Sequence, residues 1–310
     1  MDSPADALTS IAADADVVGS LSPSRAGDFL TCPLLYRFRH VDRLPEQPSL
    51  DAVRGTVVHR ALELLFDEPA AERTPERARD LLGPAWSQVG EAEPAVLALL
   101  SPHAADGPTE EAWLEQCGRV VDRYFTLEDP RRLEPAEREL YVETVTGSRL
   151  VLRGIVDRLD VAPDGRVRVV DYKTGRSPGV GFEARALFQM RFYALVLLRS
   201  RGVLPAALQL MYLGNGEIIT DRPDERDLLA LERKVEAIWQ AISEARTSGD
   251  WQPRPSKLCG WCAHQALCPA YGGTPPPFPP VLPVPPVPPQ APAATGSVLA
   301  TIDPASISST

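Results

Sequence analysis

The stretch that decides the fold is residues 149–173, which read RLVLRGIVDRLDVAPDGRVRVVDYK. Valine, leucine and isoleucine dominate 149–162 and 166–172, and the Pro-Asp-Gly turn at 163–165 separates these two runs. Apolar, β-branched runs on either side of such a turn predict a β-hairpin. The second predicted strand ends in Asp171-Tyr172-Lys173.

Outward from the hairpin, the hydrophobic period predicts further helices and strands. In chain order they are a helix from Ser22 toward Cys32, helices at 50–67, 75–100 and 109–127, a strand at 138–145, the hairpin, a helix at 183–200, strands at 206–213 and 216–220, and a helix at 224–247. The sequence therefore predicts one α/β domain over 21–270, with a helical insertion at about 68–132. We expect residues 1–20 to be disordered, and also the tail 271–310, where eleven prolines lie between 275 and 292.

The hairpin carries two aspartates and a lysine that suit phosphodiester chemistry. Asp157 and Asp171 lie on neighbouring antiparallel strands, close enough to share a hard cation such as Mg²⁺ or Mn²⁺. Lys173 follows Asp171 by two residues and so points to the same face. A bound metal would polarise the phosphate, while the lysine would orient the attacking water. Alone, these residues would be ordinary surface charges, so their neighbours decide the interpretation.

Three further side chains become candidates for the same site only when they are considered together with the hairpin residues. His59 lies on the 50–67 helix in Gly55-x3-His59, and alone it would be an ordinary packed or surface histidine. Gln189 and Tyr193 are four residues apart and share one face of the 183–200 helix. Their simpler interpretation is the polar edge of an amphipathic helix.

The predicted loop at 251–270 carries a C-x2-C-x5-C pattern. Its three cysteines are Cys259, Cys262 and Cys268. Thiolates this close can converge on one metal centre, and Cys32, Cys117 and His264 are candidates for the fourth ligand. Cys117 is expected mid-helix and is the weakest candidate. The spacing alone does not separate Zn²⁺ from an iron–sulfur cluster, and a Cys32 ligand would join distant parts of the domain and stabilise it.

The basic residues exclude one enzyme class. The chain has 32 basic residues and only three lysines, which follow Tyr172, Arg233 and Ser256. A phosphate-binding P-loop needs a lysine directly after a glycine, so no ATPase motor of that type is expected on this chain. The formal net charge of −10 is uneven, because residues 61–146 carry −11 while residues 147–201 carry +6. The basic region coincides with the predicted hairpin, as phosphate contact requires.

The composition also predicts where the chain functions. There is no run of 18 apolar residues and no leader-like N-terminus, so we expect neither membrane spanning nor secretion. Five cysteines, an odd number, favour a reducing compartment, and hence the cytoplasm.

These motifs occur in an order that resembles the RecB-like branch of the PD-(D/E)XK nucleases, which includes the AddB nuclease domain and CRISPR-associated adaptation nucleases. The resemblance covers about residues 20–270. The matching motifs are Ser22-Pro23-Ser24-Arg25 leading to Cys32-Pro33, Gly55-x3-His59, Gly154-x2-Asp157, Asp171-Tyr172-Lys173, Gln189-x3-Tyr193 and C-x2-C-x5-C. It implies a restriction-endonuclease-like core, in which helices flank a central mixed β-sheet, with a cysteine-rich cluster loop near the C-terminus.

The resemblance also implies roles for individual residues. His59, Asp157, Asp171 and the Tyr172 carbonyl would bind the divalent metal, with Lys173 as the catalytic lysine. Gln189 and Tyr193 would match the Q-x3-Y motif that helps to hold DNA and the active site. The ligands of a [4Fe–4S] cluster would be Cys32, Cys259, Cys262 and Cys268.

Two functions follow as expectations. The first is a metal-dependent DNA exonuclease that acts on single strands or DNA ends in repair or recombination. The alternative is a non-catalytic or weakly catalytic DNA-binding or end-tethering subunit of a helicase–nuclease. Any helicase would be a separate partner, because no ATP site is expected here. The proline tail is either a linker or a docking segment for a protein with an aromatic groove.

Overall fold

A computed structural model describes residues 17–100, 107–177 and 183–278. Within these ranges the strands are β1 (Gly19–Leu21), β2 (Glu137–Val145), β3 (Leu150–Val161), β4 (Val167–Lys173), β5 (Ala207–Tyr212) and β6 (Glu217–Asp221). The α-helices are α1 (Pro23–Thr31), α2 (Pro33–Tyr36), α3 (Leu50–Leu65), α4 (Pro75–Asp80), α5 (Leu82–Ala92), α6 (Glu110–Leu127), α7 (Glu183–Arg201) and α8 (Glu225–Ser248). The hairpin, the strand before it and the helices after it lie close to their predicted bounds.

The strands form one mixed sheet in the order β1-β3-β4-β5-β6, and β2 also pairs with β3. The β2–β3, β3–β4 and β5–β6 pairs are antiparallel, whereas β1–β3 and β4–β5 are parallel. A parallel pair needs a crossover connection, and α7 supplies it between β4 and β5. Helices pack on the sheet, so the expected PD-(D/E)XK-like core with a central mixed sheet is confirmed.

Alternation along β4 divides its side chains between two hydrophobic cores. Val169 belongs to the core that includes residues of α7 and α8, whereas Val170 and Tyr172 belong to the core of the helical insertion. Asp171 and Lys173 share the alternation of Val169 and therefore face α7. The face of β4 that carries Asp171 and Lys173 thus lies opposite the acidic helical insertion.

The structure differs from prediction at the N-terminal edge of the sheet. Gly19 and Ser20 lie in β1, although we expected 1–20 to be disordered; residues 1–16 lie outside the described ranges. Gly19 adopts a φ of 156°, and a Cβ there would lie 2.1 Å from the Trp239 ring. A three-residue strand that depends on this close approach has no hydrophobic pattern to reveal it.

The predicted helix at 75–100 is also interrupted. It consists of α4, α5 and a 3₁₀ segment at Pro94–Leu100. Pro94 lacks the N–H that a continuing helix needs, which accounts for the break after α5.

The tail begins in contact with the domain. Phe278 packs on Trp251, with ring centroids 6.2 Å apart, and Arg37 donates to the Pro276 carbonyl. Residues 279–310, which include most of the expected proline tail, lie outside the described ranges. Within those ranges, no helix has both the length and the apolar character that a bilayer crossing requires.

Candidate active site

The two aspartates of the hairpin meet where β3 and β4 separate. Paired residues of these strands end at Arg158 and Val170, so Asp157 and Asp171 lie one position beyond the last pair. The main-chain N–H of Tyr172 donates to Asp157 Oδ2 over 2.8 Å. The Asp157 carboxylate is therefore held by the backbone of the strand that carries Asp171.

Gln189 connects the remaining catalytic candidates. Lys173 Nζ lies 2.6 Å from Asp171 Oδ1 and donates to Gln189 Oε1 over 3.0 Å. Gln189 Nε2 in turn donates to Asp171 Oδ2 over 2.8 Å and to the Tyr193 hydroxyl oxygen over 2.9 Å. This network fixes the orientation of Lys173 and Asp171 from one face of α7.

Gly154 is required by the position of Tyr193. A Cβ added to Gly154 would lie 2.5 Å from Cε1 of the Tyr193 ring. The glycine of Gly154-x2-Asp157 thus lets the aromatic ring of α7 lie directly against β3. Burial raises the pKa of the Tyr193 hydroxyl above its ordinary range, and the nearby Asp171 carboxylate raises it further.

His59 reaches the site from α3, on the other side of β4 from Lys173. His59 Nε2 lies 2.8 Å from the Tyr172 carbonyl oxygen, and its Nδ1 lies 3.4 Å from Asp157 Oδ2. A carbonyl only accepts, so Nε2 is the donor in this contact. The histidine, the carbonyl and the first aspartate of the implied metal set therefore converge on one point.

Glu139 also belongs to this site, although sequence reasoning missed it. Ligand atoms of His59, Glu139 and Asp157 lie within 4.8 Å of one another. Glu139 falls between the β2–β3 pairs Arg138–Arg158 and Leu140–Val156, which places it opposite Asp157. Its φ of 45° is unusual for a residue with a side chain. Its position opposite Asp157 follows only from the register between β2 and β3, which no motif in the sequence records.

The charges of the site fit a divalent cation. Burial raises the pKa of Asp157 to about 6, and the Asp171 carboxylate adds to the rise. Partial burial raises the pKa of Glu139 to about 8, and the Asp157 charge adds to the rise. Part of the Glu139 residue nevertheless remains exposed to solvent. The Asp171 side chain is 2% exposed, and its Oδ1 has the Lys173 ion pair but no well-aligned hydrogen bond. Crowded carboxylate oxygens with one imidazole are suitable ligands for Mg²⁺ or Mn²⁺.

A buried arginine supports β3 and β4 from the side of the helical insertion. Arg158 forms ion pairs with Glu128, which follows α6, and with Asp160, and it donates to the Tyr172 hydroxyl. Its side chain is 1% exposed. The helical insertion is thus joined by charge to the strand that carries Asp171 and Lys173.

The cysteines of the loop meet the residue that separates α1 from α2. A cavity of about 210 Å³ is lined by Cys32, Cys259, Cys262 and Cys268. Main-chain N–H groups of Arg254 and Ser256 donate to two of these sulfur atoms, at 3.3 Å for Cys32 and 3.2 Å for Cys259. The Ser256 N–H lowers the pKa of the Cys259 thiol, and the Tyr271 hydroxyl lowers it further. These contacts suit thiolates that bind a metal centre.

The other two candidates for the fourth ligand lie elsewhere. Cys117 is buried in the core of the helical insertion, as expected for a residue without a role at this centre. His264 is buried, with Nε2 2.8 Å from Glu46 Oε1 and its ring against Phe38. It does not line the cavity of the four cysteines.

Comparison with known proteins agrees with this geometry. The family model of the PD-(D/E)XK nuclease superfamily matches residues 20–269. The Gene 69 protein of Mycobacterium phage D29 is 24% identical over 282 residues, which is 81% of this chain and 96% of the phage protein.

Two further similarities are more limited. One subunit of the ATP-dependent helicase/deoxyribonuclease of Streptococcus equi subsp. zooepidemicus is 28% identical over 158 residues, half of this chain but 14% of that protein. A solved structure from Eubacterium rectale that carries the name exonuclease has a TM-score of 0.51 at 15% identity, over 79% of this chain and 87% of the other. At that identity the match supports the fold.

Proposed function

Because the chain belongs to the PD-(D/E)XK nuclease superfamily, we propose that it is a divalent-metal-dependent DNA exonuclease that acts in the cytoplasm on single strands or DNA ends, in repair or recombination. The observation that carries the proposal is the contact network of Lys173, Asp171 and Gln189 beside Asp157. In the proposed reaction, this network would bring a cation and two carboxylates to the scissile phosphodiester and its attacking water.

Each residue of the site has a defined task in this reaction. His59, Asp157, Asp171 and the Tyr172 carbonyl would hold Mg²⁺ or Mn²⁺, which supplies Lewis-acid polarisation of the phosphate and a more acidic water. Lys173 donates hydrogen bonds, so it can orient that water or neutralise charge that develops on the phosphate. Gln189 and Tyr193 hold Lys173 and Asp171 in place. Glu139 lies within reach of the same ion.

Substitution of the lysine tests the proposal. Lys173→Ala should abolish Mn²⁺- or Mg²⁺-dependent degradation of end-labelled single-stranded DNA while a thermal melt still shows a cooperatively folded protein. Lys257→Ala, which removes an exposed lysine of the cysteine loop, is the matched control and should cleave normally. Circular single-stranded DNA should resist the wild type, because an exonuclease needs an end. Unchanged cleavage by Lys173→Ala would refute the assignment.

The alternative, an end-tethering subunit with little cleavage, makes a different prediction in the same assay. The wild type would then bind DNA but leave it intact with either metal. A helicase partner is proposed from the name of the streptococcal relative and from the missing P-loop pattern on this chain. Co-purification of a helicase with the tagged chain from its host would support that partner, and its absence would argue against it.

We propose a [4Fe–4S] cluster, with Zn²⁺ as the alternative, at Cys32, Cys259, Cys262 and Cys268. All four cysteines line one cavity, where main-chain N–H groups donate to Cys32 and Cys259. Both Zn²⁺ and a [4Fe–4S] cluster can take four thiolates, and the resemblance to the iron–sulfur nucleases of the family is what favours the cluster.

Spectroscopy and metal analysis test the cluster independently of activity. Protein purified without oxygen should be brown, with a broad absorption band near ~400 nm as iron–sulfur clusters show. Cys32→Ser should lose the band and melt at a lower temperature, whereas the matched control Cys117→Ser should keep the band. A colourless wild type that contains zinc would refute the iron–sulfur assignment.

A further inference from the structure

A cleft of about 960 Å³ extends from the metal site across the β2–β3 face of the sheet. One end is formed by Glu139, Gln189 and Tyr193, which belong to the catalytic site. The first turn of α1 and the start of α7 line the opposite wall. This β2–β3 cleft is therefore continuous with the proposed point of cleavage.

Cross-strand pairs on β2 and β3 form successive rungs along the cleft. The rung at the metal site contains Glu139 and Asp157, and the next contains Tyr141 and Ile155. Glu143 and Arg153 form the third. Rungs on one face are two residues apart, or roughly 7 Å, about the length of one nucleotide in an extended strand. The order from the metal site outward is thus a carboxylate pair, a tyrosine–isoleucine pair, and an arginine opposite a glutamate that accepts from the Tyr141 hydroxyl.

The second rung exposes apolar surface inside a charged cleft. Ile155 is 49% exposed although it lies mid-strand in the sheet. Tyr141 is fixed beside it, because its hydroxyl donates to Glu143 Oε2 over 2.6 Å. Phe188 of α7 also lines the cleft. Flat or branched apolar groups that stay solvated in the free protein provide a stacking surface for a ligand.

Three arginines from separate elements line the same cleft, which also contains the carboxylates of Asp28 and Glu139. Arg153 lies on β3, Arg176 follows β4, and Arg185 lies in the first turn of α7. Arg176 and Arg185 are exposed. Guanidinium groups on several sides of an aromatic surface are the arrangement that binds a phosphate backbone with unpaired bases.

We propose, on the basis of the nuclease function above, that the β2–β3 cleft is a base-sensing subsite for single-stranded nucleic acid. The nucleoside next to the scissile phosphate packs its unpaired base on Tyr141 and Ile155, and the following phosphate contacts Arg153. Bases in a duplex are stacked on each other and cannot offer a face to this rung. The cleft therefore selects unpaired strands through their bases as well as their charge.

Binding to two ligands of equal charge tests the subsite. The probes are a fluorescent oligothymidylate and an abasic chain with the same number of phosphates, measured by anisotropy in EDTA so that neither is cleaved. The wild type should bind oligothymidylate about tenfold more tightly. Tyr141→Ala and Ile155→Ala should each remove most of this preference and leave affinity for the abasic chain unchanged. Tyr141→Phe keeps the ring and should keep the preference.

The arginine contact has its own signature. Arg153→Gln should weaken the binding of both ligands. It should also make the slope of log affinity against log salt concentration shallower by about 0.7, the value for one phosphate of a single strand. Arg166→Gln, at the β3–β4 turn outside the cleft, is the control and should change neither. Melting curves show whether each variant stays folded. The proposal would be overturned if the wild type bound the two ligands with equal affinity. It would also be overturned if Tyr141→Ala and Ile155→Ala lost equal affinity for both ligands.

A small phosphodiester separates this proposal from the nuclease assignment. Hydrolysis of bis(p-nitrophenyl) phosphate with Mn²⁺ requires the metal site but no bases. A wild type that hydrolyses it yet does not distinguish the two chains refutes the subsite alone. A wild type that distinguishes the chains but hydrolyses no phosphodiester refutes the nuclease function alone.

Discussion

Replacement of Asp157 by asparagine should stabilise the metal-free protein at alkaline pH. Burial, and then the Asp171 charge, raises the pKa of Asp157 from 3.8 to about 6. The native state then binds a proton more tightly than the unfolded chain, so stability is greatest below the ordinary pKa and is lost as the pH rises through about 6. A shift of about two pKa units corresponds to about 3 kcal/mol. The neutral asparagine side chain would escape this penalty and could still accept from the Tyr172 N–H.

Urea unfolding in EDTA at about pH 5 and about pH 8 measures the effect. Asp157→Asn should exceed the free energy of unfolding of the wild type by up to about 3 kcal/mol near pH 8 and by roughly half as much near pH 5, because the difference develops between the ordinary pKa of 3.8 and the native pKa of about 6. Addition of Mn²⁺ should restore the free energy of unfolding of the wild type near pH 8 and leave that of the variant unchanged. Asp160→Asn is the matched control on the same strand, and it should destabilise at both pH values because Asp160 pairs with Arg158 and Arg168. An Asp157→Asn protein less stable than the wild type near pH 8 would refute the reasoning.

Three further outcomes follow from the same contacts. Gly154→Ala should displace the Tyr193 ring, lower the free energy of unfolding by about 1–3 kcal/mol and remove most of the cleavage rate. Gly147→Ala, which has open space around it, should change little in either a thermal melt or a nuclease assay. Arg158→Met should cost about 3–5 kcal/mol in urea unfolding, because Asp160 then loses a buried partner; a change below about 1 kcal/mol would contradict this. Mn²⁺ should raise the melting temperature more at about pH 8 than at about pH 6, since the carboxylates must ionise to bind it, and equal shifts would argue against a carboxylate site.

Local patterns were enough to predict the hairpin and the closeness of its charged side chains. The turn at 163–165 and the alternation before Lys173 specify two strands without any distant contact. Order along the chain then associated Gln189 and Tyr193 with that hairpin. The structure brings these residues together, and it also confirms the mixed α/β core.

Residues that depend on distant pairing were not predictable in the same way. Glu139 enters the site only through the β2–β3 register, which no motif records. Arg158 looked like one more basic residue of a charged region, yet it is buried against Glu128, 30 residues upstream. Strand β1 depends on a contact between Gly19 and Trp239. In each case the deciding partner lies far along the chain, where local period and propensity carry no information.

The contact between Cys32 and the cysteine loop has a consequence for synthesis on the ribosome. The Arg254 N–H that donates to Cys32 Sγ is 222 residues downstream, and the Arg254 guanidinium also donates to the Leu30 carbonyl. At translation rates of about 5–20 residues per second, roughly 10–45 s separate the two partners. During that interval the nascent chain presents Cys32 as a lone thiol, before the rest of its site exists. Assembly of the proposed centre would therefore be a late event, completed only after the loop that carries Cys259, Cys262 and Cys268 has been made.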